Sequence, residues 1–194
     1  MSGYHFFALM SRMKYINRWG LMNNTKNENI CEHSLFVAII AHALVIINNE
    51  RFGGNLNAER AAVLGMFHDS TEIITGDLPT PVKYYNPKIR DAYKQVEEVA
   101  KDKLISMLPT DLQPIYEPLL GESESEKELL VYVKAADKIT ALIKCIEEKR
   151  MGNSEFIQAE KTLFKTINQM KIPAVNVFIE EMLPSYSLTL DEQE

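Results

Sequence analysis

The chain has 194 residues, of which 46% are apolar and 25% charged, enough for one domain with a substantial buried core. A formal net charge of -6 without any long Lys/Arg block excludes a general affinity for the backbone of DNA or RNA. A small phosphorylated ligand stays open, because one arginine can hold a phosphate on an acidic protein.

Helical periodicity runs through almost all of the chain, and no alternating stretch is bounded by hairpin signals, so the expectation is an all-α fold with a single domain over residues 1–194. A first helix is expected over 5–17, turning Phe6, Phe7, Leu9, Met10, Met13 and Ile16 inward and leaving Arg18 and Trp19 at its C-terminal exit. The segment 34–48 is apolar nearly all round, which marks a central helix with His33 at its start. After Gly53, Gly54 and Asn55, Asn57 is the N-cap of a helix running to Thr75, with Gly76 ending it. Pro79 and Pro81 make the following Asp77-Leu78-Pro79-Thr80-Pro81 an ordered turn that lines a pocket.

A helix over 87–107 carries Ile89, Tyr93, Val96, Val99 and Leu104 on one side, and Pro109 stops it. The acidic GESESEKE stretch, 121–128, is a solvated connector ahead of a long helix over 128–150 that contains Asp137. Shorter helices are expected over 154–170 and 174–182. Two cysteines, Cys31 and Cys145, stand far apart and outside any CxxC pattern, which points to a reducing, cytoplasmic setting and no disulfide. The FFALM cluster is too short for a secretory apolar region, and no stretch reaches the ~20 uncharged apolar residues of a membrane span, so no membrane is expected.

His68 and Asp69 are adjacent, His33 lies upstream, and Asp137 sits alone among Val133, Ala135, Ala136, Ile139 and Leu142. Two imidazoles and two carboxylates suit a catalytic divalent ion such as manganese, cobalt, iron, zinc or magnesium, whereas a closed structural zinc site is rich in thiolate. The His-Asp dipeptide alone serves equally well as a hydrogen-bonded polar patch, and Asp137 can be paired by Lys134 or Lys138 instead of a metal. Glu72 favours the metal reading: on a helix it shares a face with Asp69 at i+3 and His68 at i+4. His42, nine residues after His33, falls about half a turn round the helix at ~100° per residue and points elsewhere. Cys31 has no second thiol beside it with which to make a zinc site.

The ordered pattern His33, His68-Asp69, Asp137 resembles that of the HD-domain metal-dependent phosphohydrolases. Arg18-Trp19, Glu32-His33-Ser34, FHDSTE from Phe67, TGDLPTPVKY from Thr75, Ala136-Asp137 and the PSYSLTLDE tail from Pro184 are similar to the bacterial 5'-deoxynucleotidases of the YfbR type, nearly end to end. The H…HD…D pattern is shared by many phosphohydrolases; Arg18-Trp19 with GDLPTP is much narrower.

The resemblance implies a compact HD-domain helical bundle and a homodimer. It implies one divalent ion, cobalt or manganese with magnesium, zinc or copper as other occupants, held by His33, His68, Asp69 and Asp137. It also implies hydrolysis of deoxyribonucleoside 5'-monophosphates. Glu72 would transfer the proton. Arg18 and Trp19 would hold the phosphate and wall the site, with His33, Asp69 and Asp137 bordering it. Asp77 would accept from the sugar 3'-hydroxyl, and Leu78, Pro79 and Thr80 would shape a sugar pocket too tight for a 2'-hydroxyl. Two other readings remain: an HD-domain hydrolase of a triphosphate, cyclic dinucleotide or alarmone, and a helical module that binds a nucleotide without turnover. A complete ligand set beside Glu72 argues against the second, and the lack of an evident basic cradle for a polyphosphate argues against the first.

Overall fold

A computed structural model describes residues 3–83, 85–121 and 123–193. Tyr84 of the TGDLPTPVKY stretch and Glu122 of the acidic connector lie outside the described residues. Among the described residues there is no β-strand, only helices and an isolated antiparallel bridge between Asn17 and Asn29.

That bridge corrects the first helix. Helix α1 spans Phe6–Met10, tightens into a 3-10 turn over Ser11–Tyr15 and stops short of Asn17. Ile16 turns extended because its carbonyl accepts from Ile30 N–H at 2.9 Å, while Arg18 N–H donates to the Glu28 carbonyl at 2.9 Å. Long-range pairing has displaced local helix preference, so Arg18 and Trp19 are stitched to the entry of the next helix rather than left at a helix exit. Phe6 and Met13 are buried as expected, but Phe7 is exposed.

Helix α2 spans Ile30–Phe52 and begins earlier than the apolar run, because Asn29 and Glu32 form a reciprocal capping box. His33 therefore sits inside its first turn. The helix is 23 residues long with mean hydropathy 2.1, meeting the length and composition of a membrane span that the sequence reading excluded. More than half of that apolar window, 56%, is covered by the rest of the chain.

Helix α3, Ala58–Phe67, is capped by Asn57 and crosses α2 at Gly65. A methyl group on Gly65 would lie 2.8 Å from Ala38 Cα and 3.0 Å from Ala38 N, so the bare glycine sets how closely the two backbones approach. The expected continuous helix to Thr75 is interrupted. Residues 68–71 form a tight turn in which Ser70 N–H donates to the Phe67 carbonyl and Glu72 N–H to the Asp69 carbonyl, both at 3.0 Å. Helix α4, Glu72–Thr75, then resumes for one turn, and Gly76 ends it at φ 73°.

The DLPTP segment is partly helical too. Helix α5, Thr80–Lys83, forms where Val82 and Lys83 N–H both donate to the Pro79 carbonyl, and Pro81 sits in the first turn, where no N–H is needed. Helix α6, Pro87–Ile105, is capped by Asn86 and buries only Ala100 and Leu104. Ile89, Val96 and Val99 are exposed, contrary to the expected inward side; α6 lies along the outside of a cleft and packs on α4 and α5.

Helix α7, Gln113–Tyr116, leads to the long α8, Lys127–Arg150, which packs against α2 and α3 through Val133, Ala136, Ile139 and Leu142. Helices α9, Ile157–Gln169, and α10, Pro173–Glu181, close over α8 and α2 respectively.

One buried ion pair fastens the loop after Trp19 to this frame. Lys144 and Glu148, one turn apart on α8, are bonded to each other, and Glu148 also accepts from Thr25 N–H at 2.9 Å, Lys26 N–H at 3.2 Å and Asn153 Nδ2 at 2.8 Å. Burial alone would raise the Glu148 pKa, but the bonds from Lys144, Thr25 and Asn153 outweigh it and hold the carboxyl well below its usual range.

Gly65→Ala must push α3 away from α2, and urea unfolding should show a loss of about 1–3 kcal/mol. Glu148→Ala leaves Lys144 buried without its counter-charge and should cost about 3–5 kcal/mol. Because the folded pKa of Glu148 lies below the unfolded value, the unfolded chain takes up the proton first. The stabilisation is complete above pH ~4.3 and fades as pH falls below it, so Glu148→Gln should flatten the acid limb of stability against pH.

Candidate functional site

The first turn of α2, the tight turn between α3 and α4, and the middle of α8 bring His33, His68, Asp69 and Asp137 together. His33 Nε2 lies 3.1 Å from Asp137 Oδ1 and 3.6 Å from Asp69 Oδ2; His68 Nε2 lies 3.1 Å from that same Asp69 oxygen. One donor atom from each of His33, His68 and Asp69 falls within 4.8 Å of the others. Ligands bonded to one ion at ~2.0–2.2 Å stand about 3 Å from their neighbours, which is the spacing found here.

The orientation of His68 is the sharpest test of that fit. Its Nδ1 lies 2.8 Å from the Gly65 carbonyl, so Nδ1 carries the proton and donates it. Nε2 is thereby turned toward Asp69 Oδ2 at 3.1 Å, and against the cost of burial that carboxylate raises the His68 pKa. An imidazole nitrogen aimed at a carboxylate oxygen at this distance takes a cation between them, a proton or a metal ion, so the donor set fits a cation. His33 is fixed less firmly, its Nδ1 being buried with no partner among the described residues.

The charges follow the same logic. Burial would raise the Asp69 carboxyl, but His68 and then His33 bring it down to about 2. Burial also works against Asp137, and the hydrogen bond to His33 with the charge of Lys138 holds it well below the carboxylate range. Lys138 Nζ is 2.8 Å from Asp137 Oδ2. Asp137 is thus paired by Lys138 through Oδ2, one of the two alternatives the sequence offered, while Oδ1 is turned to His33.

Glu72 stands one turn beyond the pair, brought there through the tight turn rather than along a regular helix. Its Oε2 is buried without a hydrogen bond among the described residues. Burial, then Asp69 and Asp77, push its pKa up to about 10 against the pull of Arg18 and Lys83.

Arg18 and Trp19 approach from the opposite side. Arg18 Nη1 donates to Glu28 Oε2 at 2.6 Å, and its Nη2 is 4.0 Å from Asp137 Oδ1. Burial opposes the guanidinium charge, but Glu28, Asp137 and Asp69 outweigh it and raise the pKa. Trp19 takes a left-handed backbone, φ 59°, and its indole packs edge-on against buried Phe156 at 5.3 Å. The Trp19 backbone N–H lowers the Asp77 pKa against the effect of burial, so the Arg18-Trp19 and DLPTP segments are neighbours. Leu78 and Pro79 are half-buried beside this link and Thr80 is exposed.

A cavity of about 980 Å³ opens over His68, Asp69, Glu72 and Asp137. Its walls carry Lys83, Arg90 and Lys94 on one side and Lys134 and Lys138 on the other, interspersed with Glu97 and Glu98, a charged lining that spacing in the sequence did not reveal because three separate helices contribute to it. Arg18, Trp19 and residues 77–80 are not part of that lining. His42 is half-buried and outside the cluster, as helical phase required, and Cys31 is an exposed free thiol. Sequence reasoning also missed Gly65, Glu28 and Lys83. Glu28 carried a signal in lying just ahead of the capping Asn29, and Lys83 stood unused within TPVK.

A family model described as 5'-deoxynucleotidase YfbR-like matches residues 5–186. A 5'-deoxynucleotidase of Yersinia pestis (strain Pestoides F) is 54% identical over 188 residues, 97% of this chain and 95% of the relative. A 5'-deoxynucleotidase of Yersinia pseudotuberculosis serotype O:1b matches to the same extent. Among solved structures, an HD-domain phosphohydrolase from Listeria innocua superposes with a TM-score of 0.80 at 28% identity, over 94% of this chain and 88% of that one. A cyanophage S-2L HD phosphohydrolase, itself bound to dA and one catalytic Zn2+ ion, has a TM-score of 0.66 at 17% identity over 92% and 96% of the two chains, a likeness of fold.

Proposed function

The chain belongs to the YfbR-like 5'-deoxynucleotidase family, and from that premise we propose that it is a metal-dependent phosphomonoesterase releasing phosphate from deoxyribonucleoside 5'-monophosphates. The observation that carries this reading is the convergence of His33, His68 and Asp69, with Asp137 against His33, His68 Nε2 aimed at Asp69 and Glu72 alongside.

His33, His68, Asp69 and Asp137 would hold one divalent ion. Their nitrogen and oxygen donors without thiolate favour cobalt or manganese, with magnesium, zinc or copper as other occupants. When bound, the ion supplies positive charge that polarises the phosphoryl group and acidifies the attacking water. The remaining work belongs to the chain. Glu72 moves a proton between that water and the leaving 5'-oxygen. Arg18 meets the phosphate with the guanidinium edge not given to Glu28, on the side bordered by His33, Asp69 and Asp137. Trp19 walls the site, Asp77 receives the sugar 3'-hydroxyl, and Leu78, Pro79 and Thr80 shape the space around the sugar. The closeness of the Trp19 N–H to Asp77 supports this division, because it sets the segment reading the phosphate beside the group reading the sugar.

We read the whole chain as one HD-type domain, supported by a core cluster that runs from Phe6 to Leu183. An exposed apolar stripe of Leu35, Phe36, Ile39 and Ile46 along α2 supports a homodimer, and two free cysteines support a reducing, cytoplasmic setting. The cations Lys83, Arg90 and Lys94 along the cleft, set among Glu97 and Glu98, are what a second reading would use, in which the substrate carries further phosphates past them.

Metal-stripped protein given manganese or cobalt should release phosphate from deoxyribonucleoside 5'-monophosphates and not from ribonucleotides or cyclic dinucleotides. Turnover confined to deoxynucleoside triphosphates would select the second reading. Calorimetric titration with manganese should show binding weakened at least about tenfold in His68→Ala. Glu72→Gln should keep its metal yet lose about 10²–10⁴ in kcat.

A further inference from the structure

Glu28 has no part in the chemistry above, yet Arg18 and Trp19 both close on it. A single oxygen, Oε2, accepts from Arg18 Nη1 at 2.6 Å and from Trp19 Nε1 at 3.2 Å, and the Glu28 carbonyl accepts from Arg18 N–H at 2.9 Å. Its side chain is 16% exposed and that of Arg18 13%, so little water competes for these bonds.

Two features separate this contact from an ordinary loop fastening. The first is the strain at Trp19. A bulky residue at φ 59° persists only where its surroundings over-determine it. Here its carbonyl accepts from Met22 N–H at 2.8 Å and Asn24 Nδ2 at 3.2 Å, its N–H meets Asp77, its ring meets Phe156, and its indole N–H is held by Glu28. The second is what Arg18 would do unpaired. Asp137 Oδ1 is already 4.0 Å from Nη2, and Asp69 also attracts the guanidinium. Released from Glu28, a buried cation would settle on those carboxylates.

We infer that Glu28 is a positioning residue: its one carboxylate oxygen orients Arg18 toward the phosphate and Trp19 toward the pocket, and keeps the guanidinium off the Asp137 carboxylate. This rests on the reading of Arg18 as a phosphate contact and of Asp137 as a metal ligand.

Trp19 is the single tryptophan of the chain, so its emission reports this contact directly. Glu28→Ala and the milder Glu28→Gln, which keeps an acceptor but removes the charge, are compared with wild type by Trp19 emission, manganese titration and steady-state kinetics of the manganese-loaded enzyme. The expected results are a red-shifted, more readily quenched emission in Glu28→Ala and manganese affinity lowered about tenfold. KM and the inhibition constant of inorganic phosphate should rise about tenfold while kcat changes less than threefold. Glu28→Gln should recover most of the emission but not the metal affinity. In Glu28→Ala/Arg18→Ala, manganese affinity should return to the level of Arg18→Ala alone.

Unchanged emission in Glu28→Ala would overturn the inference. So would a metal defect that persists in the double variant, or a lowered Tm with KM and phosphate inhibition unmoved. If the wild type releases no phosphate from any nucleotide, the functional reading fails by itself, while emission and the manganese cycle still decide the role of Glu28.

Discussion

The site depends on the closeness of α3 to α2 at Gly65. A side chain there would meet the Ala38 backbone at 2.8 Å, so glycine lets the end of α3 press against the helix that carries His33. The Gly65 carbonyl then accepts the His68 Nδ1 proton, which turns Nε2 toward Asp69. One residue thus sets the separation of α2, which carries His33, from α3, which leads into His68, and holds the Nδ1 side of that histidine. The tight turn over 68–71 follows from the same place: with Ser70 N–H on the Phe67 carbonyl and Glu72 N–H on the Asp69 carbonyl, the chain winds more steeply than an α-helix and brings Asp69 and Glu72 round to the cluster.

Balanced electrostatics make so many buried ionisable groups tolerable. Burial opposes ionisation at Asp69, Asp137 and Arg18 alike, and in each case neighbouring charges outweigh it. Glu72 is the exception, with Asp69 and Asp77 as its neighbours and only the more distant Arg18 and Lys83 to favour its anion. Two carboxyls three residues apart are driven in opposite directions by their surroundings, the pattern that separates a ligand from a proton carrier.

Much of this was legible in the sequence, though the reasoning did not survive intact. The helical class, the break at Gly53, the caps at Asn57 and the arrest before Pro109 are local signals, and all of them hold. Asp137 stood out because a carboxylate amid Val133, Ala136 and Ile139 requires compensation, and its two oxygens find it from different partners. Where the reading failed, contacts that the apolar pattern does not record prevailed. The Asn17–Asn29 bridge ended the first helix early, the Gly65 carbonyl drew His68 out of the helical ladder, and α6 turned its apolar side outward along a cleft. Glu72 was located correctly by a helical argument whose helix is interrupted there, since a tight turn in the same backbone region also advances about one turn in three or four residues.

The cation supply on the two sides of the cluster is unlike in kind. Arg18 is buried, shared between Glu28 and the cluster, and backed by Trp19 in a conformation that leaves it little freedom. The cleft walls offer Arg90 and Lys94, exposed side chains set among the carboxyls Glu97 and Glu98, with Arg90 reaching Asp91 at 3.2 Å. A rigid guanidinium in a dry environment discriminates, because a misplaced phosphate loses its full interaction. Solvated lysines and arginines raise the local concentration of any anion, but their effect falls with salt and carries little geometric information. On the proposed function, selection falls to Arg18, Trp19 and Asp77 on the buried face, while the charges of the open cleft are the ones that salt screens.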